Sequence, residues 1–263
     1  MHIEQKKVFH DIDEIVMGYA FEIQNTLGRF CSEKIYQNAL AYKCNNAPGI
    51  NSVDVEVPLK VVYETFTKCY FADLIINNSI IYELKTVDEL NGSHQAQLLN
   101  YLMIAEKKFG KLINFKSESV QYHFVTTNLS TEERFKYDVH FEHWIENKEA
   151  ICFKLHIMNL INSLGLFMSP SLYTEVLCHM LGGTEETIHS IPIFYDGECV
   201  GNQQFHLFDR NSAFKISTIT NGINCYEKNI RKLLSHTDLK QILWANFNHH
   251  DVVFKTIINP KHQ

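Results

Sequence analysis

The chain has 263 residues, 45% of them hydrophobic and 21% charged, with 24 basic and 30 acidic residues for a net charge of −6. That composition fits a globular protein of one or two domains and excludes disordered, collagen-like and disulfide-dense classes. The acidic balance excludes a general electrostatic attraction to nucleic acid, so any such contact must use a local patch or metal ions that offset carboxylates.

In chain order, Val8, Ile12, Ile15, Val16, Tyr19, Ala20, Ile23 and Leu27 form one apolar stripe at helical spacing, with Gly28 suited to end the helix. Ser32 is placed to cap a second helix that carries Glu33 in its first turn and buries Ile35, Tyr36, Ala39 and Leu40. After a loop at 45–51, Val53, Val55 and Val57 alternate with polar residues, and a strand resumes over Leu59–Tyr63. Tyr70–Ile76 and Ser79–Leu84 are near-continuous apolar runs joined at Asn77–Asn78, which predicts a central hairpin covered on both faces. A helix over 93–108 and strands at 112–115 and 120–125 follow. This order predicts an α/β domain, a mixed sheet flanked by helices.

Three ionisable residues fall on the predicted hairpin. Glu83 and Lys85, two apart, project from the same strand face, and a turn at 77–78 brings Asp73 opposite Glu83. Two carboxylates, the Leu84 carbonyl and water make a set of hard oxygen donors suited to Mg²⁺ or Mn²⁺. Lys85 can orient an attacking water or stabilise charge on a phosphate oxygen. On the following helix His94, Gln97 and Tyr101 share one face, where glutamine and tyrosine can donate to phosphate oxygens. The fourteen histidines include no HExxH arrangement, and the seven cysteines include no CxxC pair. A structural zinc site and a disulfide framework are therefore not expected.

Glu33, Asp73, Glu83-Leu84-Lys85 and Gln97-x-x-x-Tyr101 together resemble the PD-(D/E)XK nuclease superfamily, in its branch with a helical glutamate and a QxxxY motif. Within it, residues 12–125 are similar to the GxxExxY proteins through LGRFCSEKIYQNAL, VPLKVVYE, ADLIINNSIIYELKTVDEL, HQAQLLNYL and GKLINF. One departure is that Gly28 precedes Glu33 by five residues instead of three, which implies a remodelled loop at the start of that helix. The resemblance implies a restriction-endonuclease-like fold and a metal-dependent phosphodiesterase site. Asp73 and Glu83 would be ligands, Glu33 a further ligand, Lys85 the residue at the water, and Gln97 and Tyr101 supporting groups.

The second half carries similar text without those residues. LGRFCSEKIYQNAL at 27–40 parallels LGLFMSPSLYTEVL at 164–177 at an offset of 137, and IINNSIIYELKTV at 75–87 parallels LFDRNSAFKISTI at 207–219 at an offset of 132. Val57-Pro58 parallels Ile191-Pro192, and the Asn-Phe pair at 114–115 parallels that at 246–247. This predicts an internal duplication: a nuclease-like domain over 1–130, a connection over 131–154, and a degenerate copy over 155–263. In the alignment Glu33 becomes Pro170, Asp73 Phe205, Glu83 Lys215, Lys85 Ser217, Gln97 Asn229 and Tyr101 Leu233.

The expected function is a Mg²⁺- or Mn²⁺-dependent nuclease acting on nucleic acid, DNA in preference to RNA. The alternative is a regulatory protein that keeps the nuclease fold and binds nucleic acid or protein without catalysis. No apolar run reaches the ~20 residues that cross a membrane, and the start, MHIEQKKVFHDIDEIV, is too acidic for a signal peptide. A cytoplasmic protein is expected, either a monomer with an internal pseudo-dimer or a homodimer.

Overall fold

A computed structural model describes residues 2–262, with side chains from Lys7 onward; Met1 and Gln263 lie outside the described residues. The chain divides into two compact units, residues 1–62 with 67–129, and residues 63–66 with 130–263.

The first unit begins with α1 (His2–Leu27) and α2 (Glu33–Asn45). The predicted stripe of α1 packs inward through Ile12, Val16, Ala20 and Ile23, while its two ends, Val8 and Leu27, are exposed. Strands β1 (Val53–Tyr63), β2 (Phe66–Ile76) and β3 (Ile80–Lys85) follow, then α3 (Gly92–Ile104), β4 (Phe109–Asn114) and β5 (Gln121–Thr126). Pro58 does not break β1, and the two runs predicted around it are one strand. The helix expected over 93–108 stops at Ile104, because Glu106 takes a left-handed conformation (φ 53°) and Phe109 already starts β4.

The five strands form one mixed sheet in the order β1-β2-β3-β4-β5. β2 and β3 are antiparallel, with Leu74 opposite Tyr82 and Ile76 opposite Ile80. Asn77 and Asn78 are both left-handed (φ 50° and 49°), as asparagine tolerates in tight turns. The Asn77 side chain also accepts the backbone N–H groups of Asn51 and Ser52, at 2.6 and 3.1 Å, which ties the turn to the start of β1. β3 and β4 are parallel, so the chain must cross over between them, and α3 is that crossover. One sheet face packs on α1 and α2 through Leu74, Ile76, Tyr82 and Ile113; the other packs on α3 through Ile75, Ile81, Leu98 and Leu102. The mixed sheet flanked by helices is the restriction-endonuclease-like arrangement expected from the sequence.

The second unit opens with a 3₁₀ turn (Glu132–Phe135) and β6 (Asp138–Glu142), then α4 (Lys148–Leu164), α5 (Pro170–Met180) and the short α6 (Thr184–Thr187). β7 (Ile188–Tyr195), β8 (Glu198–His206), β9 (Ser212–Ser217), α7 (Ile223–Ser235), β10 (Gln241–Asn248) and β11 (Asp251–Ile258) complete it. Residues 131–154, read from sequence as a connection, are built into this unit: β6 pairs in parallel with β11, and α4 begins at Lys148. Alternating charges hide that role, because an edge strand leaves much of its surface to solvent.

Displaced by 132 residues, the registers of β3-β4-β5 and β9-β10-β11 coincide, although β6 extends the second sheet beyond β11 and β7-β8 form a separate two-stranded sheet. Ile80 faces Phe109 and Ser212 faces Gln241 in the parallel pairs; Phe109 faces Thr126 and Gln241 faces Ile258 in the antiparallel ones. An isolated antiparallel bridge, Leu207 to Ala213, stands where Ile75 meets Ile81. Side-chain bonds coincide as well. Asn114 accepts from Val87 N–H and donates to Val87 O, and Asn246 does the same with Ile219. Tyr36 donates to Gly28 O and accepts from Cys31 N–H; Tyr173 donates to Gly165 O and accepts from Met168 N–H.

Candidate active site

The antiparallel register of β2 and β3 brings Asp73 and Glu83 together at the open end of the hairpin. Glu83 Oε1 accepts the Asp73 backbone N–H at 3.1 Å, and Asp73 Oδ2 accepts the Leu84 N–H at 2.7 Å. Each carboxylate is thus held by the other strand's backbone. Lys85, two residues beyond Glu83 on the same face, reaches Glu83 Oε2 at 3.3 Å. Glu83 is 2% exposed.

Burying two carboxylates side by side is costly, and their proton affinities show it. Removal from water, followed by the Asp73 charge, pushes the Glu83 carboxyl up to about 8. Asp73 is also raised by desolvation, with Glu33 and Glu56 adding to the rise against the Leu84 N–H and Lys85. For Lys85, burial opposes the charge, but the Glu83, Glu33 and Asp73 carboxylates outweigh it and hold the ammonium above its ordinary value. The pair titrates as a unit that holds protons more tightly than free carboxylates do. A divalent cation would relieve that mutual repulsion with hard oxygen ligands.

The other predicted residues surround this pair unequally. Glu33, in the first turn of α2 after Ser32, lies within electrostatic range of both Asp73 and Lys85. It does not close with them into a tight cluster; among the described residues no three His, Cys, Asp or Glu side chains do so. From α3, Gln97 Nε2 donates to the Tyr101 hydroxyl at 2.8 Å. Tyr101 is buried and within electrostatic range of Glu83, Lys85 and Asp73, and burial raises its hydroxyl above the ordinary value. His94, on the same helical face, accepts the Asn91 N–H in a capping box and so serves the helix start.

Two residues that sequence reasoning missed also reach the site. Gln37, one turn after Glu33 on α2, donates to Asp73 O at 3.0 Å, and its buried Oε1 has no hydrogen-bond partner. Glu56, left-handed in β1 (φ 53°) and paired with Lys34 at 2.9 Å, adds negative charge near Asp73. The i, i+4 spacing from Glu33 was the only local signal for Gln37, and Glu56 had none.

An α/β unit with two carboxylates and a lysine at the end of a central hairpin, faced by a glutamine–tyrosine pair, is consistent with a restriction-endonuclease-like fold. Residues 10–125 match the family model of the PD-(D/E)XK nuclease superfamily, which supports the resemblance of this segment to that superfamily. That match points to nuclease-type activity and a nucleic-acid substrate. No curated protein matches the chain in sequence. No helix among the described residues is long and apolar enough to cross a membrane.

Proposed function

We propose that the first unit is a divalent-metal-dependent nuclease that hydrolyses phosphodiester bonds of nucleic acid, DNA in preference to RNA. The reading is carried by the Asp73–Glu83 pair: two buried, mutually repelling carboxylates with a lysine beside them. Superfamily members generally use divalent metals such as Mg²⁺, and the oxygen donors here suit Mg²⁺ or Mn²⁺. Asp73, Glu83 and the Leu84 carbonyl would hold the ion, with Glu33 as a further ligand. When bound, the ion lowers the pKa of a water and offsets charge on the phosphate. Lys85 positions that water and balances the carboxylates. Gln97 and Tyr101 donate hydrogen bonds to the phosphate oxygens, which fixes the substrate for in-line attack.

The second unit is a degenerate copy of the first, a reading supported by the shared registers and the paired Asn and Tyr hydrogen bonds. Its counterparts of the site residues, Pro170, Phe205, Lys215, Ser217, Asn229 and Leu233, offer no carboxylate. It contributes structure or binding and no chemistry.

Incubating the full chain with single- and double-stranded DNA and RNA, with Mg²⁺ or Mn²⁺, tests the reading. Cleavage that disappears in EDTA and in Asp73→Ala is expected. Activity that survives both would overturn the assignment.

A further inference from the structure

We propose that Arg29 and Phe30 grip an unpaired nucleotide of the substrate, the ring stacking on its base and the guanidinium taking its phosphate. The proposal rests on the nuclease reading of the neighbouring site and narrows it to single-stranded or locally unpaired nucleic acid.

The loop that carries the two residues is clamped at both ends. Gly28, left-handed at φ 74°, receives the Tyr36 hydroxyl on its carbonyl at 2.7 Å, and the Cys31 N–H donates to that hydroxyl at 3.2 Å. Tyr36 in turn stacks on Phe115 with centroids 4.4 Å apart. Arg29 and Phe30 lie between these anchors, so little ordering entropy remains to be lost when they bind. Phe30 is 83% exposed, with the Arg29 guanidinium 5.2 Å from its ring centre. Arg29 has no acidic partner among the described residues, which it shares with Lys7, Lys60, Lys107 and Lys108 of this unit, while Lys34, Lys43, Lys85, Lys111 and Lys116 are ion-paired. Three residues after Phe30 comes Glu33, which is within electrostatic range of Asp73 and Lys85.

A lone exposed phenylalanine needs no explanation by itself. The second unit supplies the contrast. Its corresponding loop, Gly165-Leu166-Phe167, starts under Arg134, whose Cβ lies 3.1 Å from the point a Gly165 side chain would occupy; Gly28 has nothing within 4 Å. Leu166 is fully buried, and Phe167 packs edge-on against His250 at 5.1 Å. The same local text is thus a covered plug in the unit without carboxylates and an uncovered aromatic–cation pair in the unit with them. An aromatic face with a cation beside it suits a base and its phosphate, and a base inside a duplex is already stacked.

Anisotropy of labelled single-stranded DNA and RNA oligonucleotides and a blunt duplex, bound to the full chain in EDTA, tests the proposal without cleavage. Phe30→Ala is expected to weaken single-strand binding about tenfold and Phe30→Trp to preserve it. Arg29→Ala is expected to weaken binding and flatten its salt dependence. Duplex binding and the thermal midpoint stay unchanged in all three. No loss in Phe30→Ala, an equal loss on duplex, or a wild-type chain that binds none of the strands would overturn the proposal. The wild-type chain separates the two readings: single-strand binding in EDTA that depends on Phe30, with no cleavage in Mg²⁺ or Mn²⁺, would count against the nuclease assignment and leave the grip standing.

Discussion

Lys85 and Ser217 occupy the same register position in the two units, each opposite an asparagine on the neighbouring parallel strand, Asn114 and Asn246. Their surroundings differ. Ser217 Oγ donates to Asn246 Oδ1 at 2.7 Å and accepts from the Trp244 indole N–H at 2.8 Å, closing a buried network. Phe205, in the place of Asp73, is buried in the same apolar cluster as Trp244, and Lys215, in the place of Glu83, turns to solvent. In the first unit the equivalent positions hold two desolvated carboxylates and a lysine. Apolar groups with a satisfied network suffice to stabilise this scaffold, whereas buried carboxylates cost free energy. The first unit bears that cost at the Asp73–Glu83 pair, and the proposed catalytic role accounts for it.

The comparison can be broken most decisively through activity. Lys85→Ala or Asp73→Ala is expected to lower metal-dependent cleavage by roughly a thousandfold, a loss of the size expected when a main charge-stabilising group is removed. Lys215→Ala should leave the rate within about threefold, because a residue outside the reacting site contributes little to transition-state binding. A large loss from Lys215→Ala would mean that the second unit takes part in the chemistry.

Stability measures the shared scaffold. Asn114→Ala and Asn246→Ala each strand the N–H and C=O groups of one half-buried residue, and each should cost about 1 kcal/mol in denaturant unfolding. Markedly unequal costs would weaken the likeness between the units. Metal addition should separate them again. With its folded-state carboxyl raised to about 8, Glu83 gives stability that is present at acid pH and lost as pH climbs from the ordinary carboxylate range through 8. Mn²⁺ competes with those protons, so the rise it causes in the unfolding midpoint should be larger at pH 8 than at pH 6 and vanish in Glu83→Gln. The smallest effect is expected from Tyr36→Phe and Tyr173→Phe, about 1 kcal/mol each for a lost hydroxyl hydrogen bond. Near-equal values, read by thermal or denaturant melts, would sharpen the parallel.

Much of the first unit was legible because its signals are local. Period-3.6 stripes marked α1 and α2, and Asn77–Asn78 set the hairpin register that brings Asp73 to Glu83. Gln37 and Glu56 were not legible, because they reach Asp73 from α2 and β1, contacts with no sequence periodicity. The boundary errors share that cause. β6 exists as a strand because β11, more than a hundred residues later, supplies its partner, and α3 ends early because Phe109 is needed in the sheet.

The sequence by itself determined the order of the elements, the facing of Asp73, Glu83 and Lys85 on one hairpin, and the parallel text of the two halves. Strand period and turn chemistry are properties of neighbouring residues, so they can be read along the chain. Only the tertiary structure decided that Phe30 stands in solvent while Phe167 is packed against His250, and that residues 131–154 belong to the second unit. Burial depends on what distant segments bring to a loop, and two nearly identical loops, LGRF and LGLF, meet different neighbours.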